Sequence, residues 1–479
     1  YLKPIISKKL NNSVFSMYYS ILAMDMDQYY DDKHFGRVTR HMTRSSTTDS
    51  WCSVPNYGES GQYLGGTRIG ATGGSQYGAN SESQYGAVES QYATESHKAS
   101  RQHVITNKGL DNFGNTCYLN VIIQTLLHLK TFRTVFDDKN ILELFCQKHS
   151  FMELDESIIM NLRALFFGLS DKTTKIKSIA PLTFRSALQY GNALFNNDDQ
   201  QDVQEAFIMI LEMLHNEISQ KVTNPMPCIN ANLNDACNMH WYNNFSPIYN
   251  LFHGMYYVQR RCMNCAHKKI NYEPNCFLGL DITTLNDADI EVDYQAYFTL
   301  KCKINSIKLS EVEIAMMMEC LSADTKDEID IIARNTMENK MEYSLQSCID
   351  NYHAPESMDS VLCSQCNLNY EHSCTYGITI APKILMIQLK RFKYDGSKIC
   401  SRISLQHTIT MPSATGATDY RLSSIINHTG LNTLCGHYYM YNYDKELLCW
   451  YRYNDQSVVK TLEKNINLTE SYLLLYELM

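Results

Sequence analysis

Cys117 ends the stretch Asn112-Phe113-Gly114-Asn115-Thr116-Cys117, and an apolar run follows at once. A glycine turn leading into a helix would put the thiol at the helix N-terminus. There the positive end of the dipole favours thiolate, the form that attacks carbonyl carbon. A lone cysteine is more often a small buried hydrophobe, so a catalytic reading needs a base and a group that orients the base. His437 in Cys435-Gly436-His437-Tyr438-Tyr439 is the candidate base, and Asn454 in Trp450-Tyr451-Arg452-Tyr453-Asn454-Asp455 is the candidate orienter. An amide oxygen accepting from the imidazole would fix its tautomer, as the third member of a triad does. Each has a structural alternative: a satisfied half-buried histidine, and an Asn-Asp turn.

Two other cysteine pairs have metal-knuckle spacing, Cys262-Met263-Asn264-Cys265 and Cys363-Ser364-Gln365-Cys366. Each pair offers two thiolates, and two pairs complete a tetrahedral Zn²⁺ site. Four cysteine ligands leave no open position, so zinc held there is structural. The alternative is four free thiols.

These groups must be carried by regular elements. After Cys117, Ile122, Leu126 and Leu129 share one helical face. From Asp202 to His215, Val203, Phe207, Ile210, Leu211 and Leu214 recur at three- and four-residue steps, which predicts a second helix. Ile384 to Phe392 reads as a strand. Gly436 to Tyr443 and Leu447 to Asn454 read as two paired strands, which would let His437 and Asn454 face each other. Tyr472 to Leu478 reads as a closing strand. Helices early and strands late predict an α+β fold.

The chain has 479 residues, 44% of them hydrophobic, enough for a substantial core. Its net charge of −9 is spread along the chain and argues against nucleic acid as the main partner, which would need a basic stripe. The 17 cysteines are odd in number and partly in C-x-x-C pairs. That reads as reduced thiols and metal ligands, and so a cytoplasmic or nuclear setting, not a disulfide framework. No apolar run reaches membrane-spanning length, so no membrane partner is expected. Val14 to Met24 is partly apolar behind Lys8 and Lys9. Tyr18, Tyr19 and Ser20 dilute it, and no small-residue cleavage site follows, so it is not read as a secretory signal.

From Tyr57 to Ser100 the chain is rich in Gly, Ser, Gln, Ala and Tyr. A short unit recurs as Ser75-Gln76-Tyr77-Gly78, Ser83-Gln84-Tyr85-Gly86 and Ser90-Gln91-Tyr92-Ala93. With almost no aliphatic content it cannot offset its chain entropy, so residues 1–104 are expected to be a disordered low-complexity region. It reads as a tether, with a self-associating tyrosine tract as the other reading. Residues 105–479 are expected to form the catalytic domain. A methionine-rich acidic stretch, 285–342, is read as an insertion.

The segment around Cys117 resembles the cysteine box of the ubiquitin-specific proteases. Ile426-Asn427-His428, Gly436-His437-Tyr438 and Trp450 to Asp455 resemble their histidine box. Gln200-Gln201-Asp202-Val203-Gln204-Glu205-Ala206-Phe207 resembles their glutamine-aspartate box. Leu389-Lys390-Arg391-Phe392 is similar to the strand between these boxes, and Tyr472 to Glu477 to the terminal strand. The order and wide spacing agree from about residue 105 to the end. Departures are small: Val121 replaces a commoner serine, and Cys435 precedes Gly436 where glycine is frequent.

The resemblance implies a papain-like cysteine protease with helical thumb, strand-rich palm and zinc-bearing fingers. It implies Cys117 as nucleophile, His437 as general base and acid, and Asn454 as orienter, with Asp455 the other candidate. It implies Asn112 as oxyanion donor and Asp202 as the carboxylate that holds the arginine-bearing tail of ubiquitin. Asn112 as a turn residue and Asp202 as a helix cap are the plainer alternatives. The expected activity is hydrolysis after the C-terminal glycine of ubiquitin on ubiquitinated proteins. The other readings are a catalytically weak ubiquitin-binding scaffold and a protease for another ubiquitin-like modifier. A zinc metalloprotease has no H-E-x-x-H motif to support it.

Overall fold

The periodicity after Cys117 forms helix α1, Cys117–His128, and every residue of it up to Leu127 is buried. The computed structural model describes residues 108–149, 156–196, 199–221, 231–242, 245–282, 294, 298–299, 310–319, 326, 330, 341–393, 398–413, 416–430 and 436–479. The expected low-complexity region 1–104 and most of the expected insertion 285–342 lie outside the described residues, as does Cys435.

Around α1 stand α2 (Lys130–Phe136), α3 (Lys139–Lys148), α4 (Ile158–Ser170), α5 (Leu182–Gly191) and α6 (Val203–Ile218). Next come α7 (Ala231–Cys237) and α8 (Pro247–Phe252), then α9 (Glu311–Glu319) and α10 (Leu345–His353). Side-chain caps set the starts of five of these helices, α4 and α6 among them. The Ser157 hydroxyl accepts from the Met160 amide, and the Asp202 carboxylate accepts from the Gln204 and Glu205 amides. Such caps satisfy backbone donors that a helix leaves open at its first turn.

The strands begin with β1 (Gly109–Leu110) and β2 (Ser178–Ile179), which pair in parallel. Then come β3 (Gly254–Cys262), β4 (Lys268–Asn275), β5 (Leu278–Asp281), β6 (Glu342–Ser344), β7 (Glu356–Leu362), β8 (Asn369–Ile380) and β9 (Ile384–Lys390). The last are β10 (Arg402–Ser404), β11 (Thr408–Ser413), β12 (Gly416–Thr429), β13 (His437–Asp444), β14 (Cys449–Asn454), β15 (Ser457–Thr461) and β16 (Ser471–Leu478). Among the described residues, twelve strands join in one mostly antiparallel sheet in which β12 to β15 are consecutive neighbours. β16 lies between β12 and β9.

The centre of the sheet is buried on both faces. Met386, Ile426, Met440, Leu473 and Leu475 pack with α1 to α6 and α8. Leu385, Ile425, Tyr441, Leu474 and Tyr476 pack on the opposite face with Leu345 and Ile349 of α10. Alternate residues of one strand thus enter opposite cores, which is why β9 and β16 read as apolar runs and not as alternation.

The α+β expectation holds as a mixed helix-and-sheet fold, with one refinement. Strands β3 to β5 precede α10, so helices and strands are more interleaved than a simple early-late division. β12, the longest strand, carries no strong hydrophobic signal. Its buried Ser423, Ser424, Asn427 and His428 are polar. Two of them bond to β13: Ser424 Oγ donates to Asn442 Oδ1, and Asn427 Nδ2 donates to the Tyr439 hydroxyl.

Candidate active site and metal centre

Cys117 is the first residue of α1 and is 5% exposed. The turn before it is built locally. Gly114 has φ +94, a left-handed conformation that L side chains rarely adopt. The Asn112 Oδ1 accepts from the Thr116 amide at 3.2 Å and hydroxyl at 3.1 Å, and the Thr116 Oγ1 accepts from the Phe113 amide at 3.0 Å. The turn is therefore closed before substrate is present.

His437 opens β13 and Asn454 closes β14. These strands pair with Met440 opposite Tyr453, so Asn454 is a diagonal neighbour of His437 on one face, within reach of a long side chain. The His437 Nε2 lies 2.6 Å from the Asn454 Oδ1. An amide oxygen only accepts, so Nε2 carries the proton and Nδ1 is left for the Cys117 side. The imidazole pKa is pushed up to about 9, first by its hydrogen bond to Cys117. Burial opposes this, and the Asn454 bond and the charges of Cys117 and Asp455 add to it. Imidazolium beside sulfur is the arrangement that stabilises a nucleophilic thiolate.

Asp455 turns away from this contact. Its Oδ2 is 3.9 Å from the His437 Nε2, beyond hydrogen-bond length. It accepts instead from the Asn112 Nδ2 at 2.9 Å and the Asn120 Nδ2 at 2.8 Å. Its φ of +48 gives the left-handed turn between β14 and β15, a conformation that Asp tolerates better than most residues. Of the two candidate orienters, Asn454 is the one within bonding distance.

Asp202 caps α6, and its Oδ2 accepts from the Tyr472 hydroxyl at 2.6 Å. Tyr472 in turn accepts from the Gln388 Nε2 at 2.8 Å. Two contributors were not singled out from the sequence. Asn120 is 2% exposed on an otherwise apolar helix, and a polar residue at such a position was the available signal. Gln200 sits in a recognisable motif, but its partner is a backbone. Its Nε2 donates to the Gly436 carbonyl at 3.1 Å, and its Oε1 accepts from the Gly436 amide at 2.9 Å.

The four cysteines also meet. Cys262 Sγ lies 4.0 Å from Cys366 Sγ, Cys265 Sγ lies 3.6 Å from Cys363 Sγ, and all four lie within 4.8 Å of one another. A tetrahedral zinc with Zn–S near 2.3 Å needs sulfurs about 3.8 Å apart, so the set fits the ion. The two knuckles are copies of one local fold. Ala266 and Asn367 each follow a second cysteine with φ +57 and +55. Each donates its amide to the first cysteine's carbonyl at 2.9 Å. Among the described residues no other group of three or more such side chains has metal-binding spacing. No helix among them is long and apolar enough to cross a membrane.

The profile of the ubiquitin carboxyl-terminal hydrolase family matches residues 108–476. The chain is 28% identical over 241 residues to ubiquitin carboxyl-terminal hydrolase 7 of Saccharomyces cerevisiae, covering 46% of this chain and 20% of that protein. It is 23% identical over 417 residues to ubiquitin carboxyl-terminal hydrolase 21 of Rattus norvegicus, covering 78% of this chain and 61% of that one. The chain thus spans less than two thirds of the length of these relatives. Among solved structures, the SAGA Ubp8/Sgf11/Sus1/Sgf73 DUB module bound to ubiquitin aldehyde is similar in fold. The TM-score is 0.53 at 19% identity, over 84% of this chain and 76% of that one. With the profile spanning more than half of its residues, this chain belongs to the ubiquitin carboxyl-terminal hydrolase family.

Proposed function

We propose that the chain is a thiol-dependent deubiquitinase that hydrolyses the isopeptide or peptide bond after the C-terminal glycine of ubiquitin. The observation that carries this reading is the 2.6 Å contact of His437 with Asn454, beside a thiol at the start of α1 that raises the imidazole pKa. The family and the likeness to a ubiquitin-bound module support the choice of substrate.

The Cys117 thiolate adds to the terminal glycine carbonyl and forms an oxyanion. An Asn side chain carries two amide hydrogens. With one given to Asp455, the other on Asn112 is the donor proposed for the oxyanion, and one such donor contributes about 2.7–4 kcal/mol. As the C–N bond breaks, His437 passes its proton to the leaving lysine amine. A water molecule then gives a proton to His437 and attacks the thioester. The C–S bond breaks, and ubiquitin leaves with a free carboxylate. Asn454 keeps the proton on Nε2 throughout, so that Nδ1 does the exchange.

In this reading the helices form a thumb and the large sheet a palm, with β3, β4, β7 and β8 as fingers that carry ubiquitin's body. Asp202 is the carboxylate proposed to hold the arginine-bearing tail, a role compatible with its capping of α6. Cys262, Cys265, Cys363 and Cys366 would hold a structural Zn²⁺, whose closed shell supplies folding energy and no chemistry. Partners are ubiquitin and ubiquitinated proteins in the cytoplasm or nucleus, not nucleic acid or membrane.

The test is turnover of a fluorogenic amide of the ubiquitin C-terminus. Activity that disappears in Cys117→Ala supports the reading, and an inert wild-type chain sinks it in favour of a ubiquitin-binding scaffold. A parallel panel of probes made from other ubiquitin-like modifiers decides the modifier.

A further inference from the structure

We infer that Lys398 is a positioning residue for this reaction: it grips His428 and the end of β12, which fixes the backbone at Gly436 and so the place of His437. The inference rests on the reading of His437 as the catalytic base.

Lys398 is only 8% exposed. An ammonium has three donors, and here all three are spent. They go to the His428 carbonyl, the Gly430 carbonyl at 3.1 Å and the His428 Nδ1 at 3.1 Å. No carboxylate bonds to it among the described residues. Removing a charge from water without an ionic partner is unfavourable, and an apolar residue of similar size would serve packing at lower cost. The position of the charge therefore calls for another explanation.

The register supplies one. Thr429 pairs with His437, and His428 pairs with Tyr438. Lys398 holds the carbonyls of residues 428 and 430, on either side of the residue opposite His437. Its donation to the His428 Nδ1 puts the proton of that ring on Nε2. The Nε2 edge then meets Gly436: a Cβ there would lie 2.0 Å from the His428 Nε2. Only glycine allows so close an approach. The other side of Gly436 is clamped by Gln200 at 2.9 and 3.1 Å. The residue before His437 is thus fixed between a neutral imidazole and a side-chain amide.

The surroundings keep His428 neutral. Phe392 lies against its ring at 5.4 Å between centroids, and Tyr438 at 4.7 Å. Burial, then Lys398 and then His437, lower its pKa to about 4. Burial lowers the pKa of Lys398 itself; Cys400 opposes this, Arg391 adds to it, and Glu470 opposes it. Two histidines one strand apart are in this way divided into one that stays neutral and one that exchanges protons.

The experiment uses the full chain with Lys398→Met, which removes the charge at similar volume. Expected results are a kcat on the ubiquitin amide at least about tenfold lower with KM within about threefold, as for a misplaced catalytic group. Alkylation of Cys117 by iodoacetamide at pH 7, which needs no ubiquitin, should slow by about fivefold or more. A melting temperature near that of the wild type separates this from general unfolding. The wild-type chain with ¹⁵N-labelled histidine gives an arm free of mutation: His428 should remain neutral, with its proton on Nε2, down to pH 5.5. Alkylation and kcat both within about twofold of wild type would overturn the inference, as would a wild-type His428 that takes up a proton above pH 6. An inert wild-type chain would sink the proposed function instead, while the alkylation comparison still decides the place of Lys398.

Discussion

The Cys117 site and the four-cysteine knuckle both join residues far apart in the chain, yet they are held in different ways. Asn112 and Asp455 meet across 343 residues, and Cys262 and Cys366 across 104. Around Cys117 the side chains stand on elements already fixed by burial, and hydrogen bonds finish the geometry. At the knuckle Cys262 and Cys363 are buried, but Cys265 is exposed, and so are Met263, Leu362 and Leu368, so little apolar packing surrounds the sulfurs. The sulfurs face one another, and in the proposed reading a bound ion would supply the missing free energy. Cys262 ends β3 about 26 Å along the strand from Gly254, at the usual rise of about 3.3 Å per residue. Gly254 follows α8, whose Phe252 packs with Phe132 and Phe207 of the helical core. The same strand thus connects a site preorganised by packing to one whose four sulfurs are spaced for a metal ion. In the proposed reading, chemistry that needs sub-ångström placement sits on the first, and a clamp that must only stay closed sits on the second.

That contrast can be broken by mutation. Cys117→Ala should remove hydrolysis, by about 10⁴-fold or more, with ubiquitin binding intact. Activity within tenfold of wild type would end the mechanism. Asn112→Ala should lower kcat by about 10²–10³ with little change in KM, as loss of an oxyanion donor does. An unchanged kcat returns Asn112 to its role in the turn, where its Oδ1 already holds Thr116.

Asn454→Ala should lower kcat by about 10² through misplacement of the ring, and it should move the pH profile. The His437 pKa lies above the ordinary 6.5, at about 9, so the imidazolium is present below 6.5 and is lost as pH rises through about 9. The wild-type alkaline limb should therefore fall near pH 9. Without the Asn454 bond it should fall at lower pH, which a pH–rate series measures. A limb that does not move leaves the orienting role to Asp455 despite its 3.9 Å separation.

Cys363→Ser tests the other region. Melting temperature and ubiquitin affinity should fall together, while alkylation of Cys117 stays near normal. Metal analysis of the wild type should give about one zinc per chain. A metal-free preparation with unchanged melting temperature and activity would leave four unexplained thiols, and a change in Cys117 reactivity would show that the two regions are coupled. The smallest effect is expected from starting the chain at residue 105, which should leave kcat unchanged. A lost kcat would place part of 1–104 within the enzyme.

Local signals made much of this legible. The Gly114 turn and the apolar face beyond Cys117 mark a thiol at a helix start. The tyrosine-rich runs around His437 and Asn454 mark a hairpin, whose strands are observed at His437–Asp444 and Cys449–Asn454. Each C-x-x-C pair marks a knuckle. β12 stayed hidden because its buried polar residues find partners on β13 that no local pattern reveals.

By itself the sequence marked the candidate residues and the elements that bear them, because helix starts, hairpins and knuckles are set within a few residues by φ, periodicity and spacing. It did not determine who partners whom. That Asp455 serves Asn112 and Asn120 while Asn454 serves His437 depends on how α1 sits against the β14–β15 turn. That Gln200 clamps Gly436, and that Lys398 spends a buried charge beneath His428, depends on segments brought together from distant parts of the chain. Hydrogen bonds act over about 3 Å, and only the packed chain decides which donors and acceptors come that close.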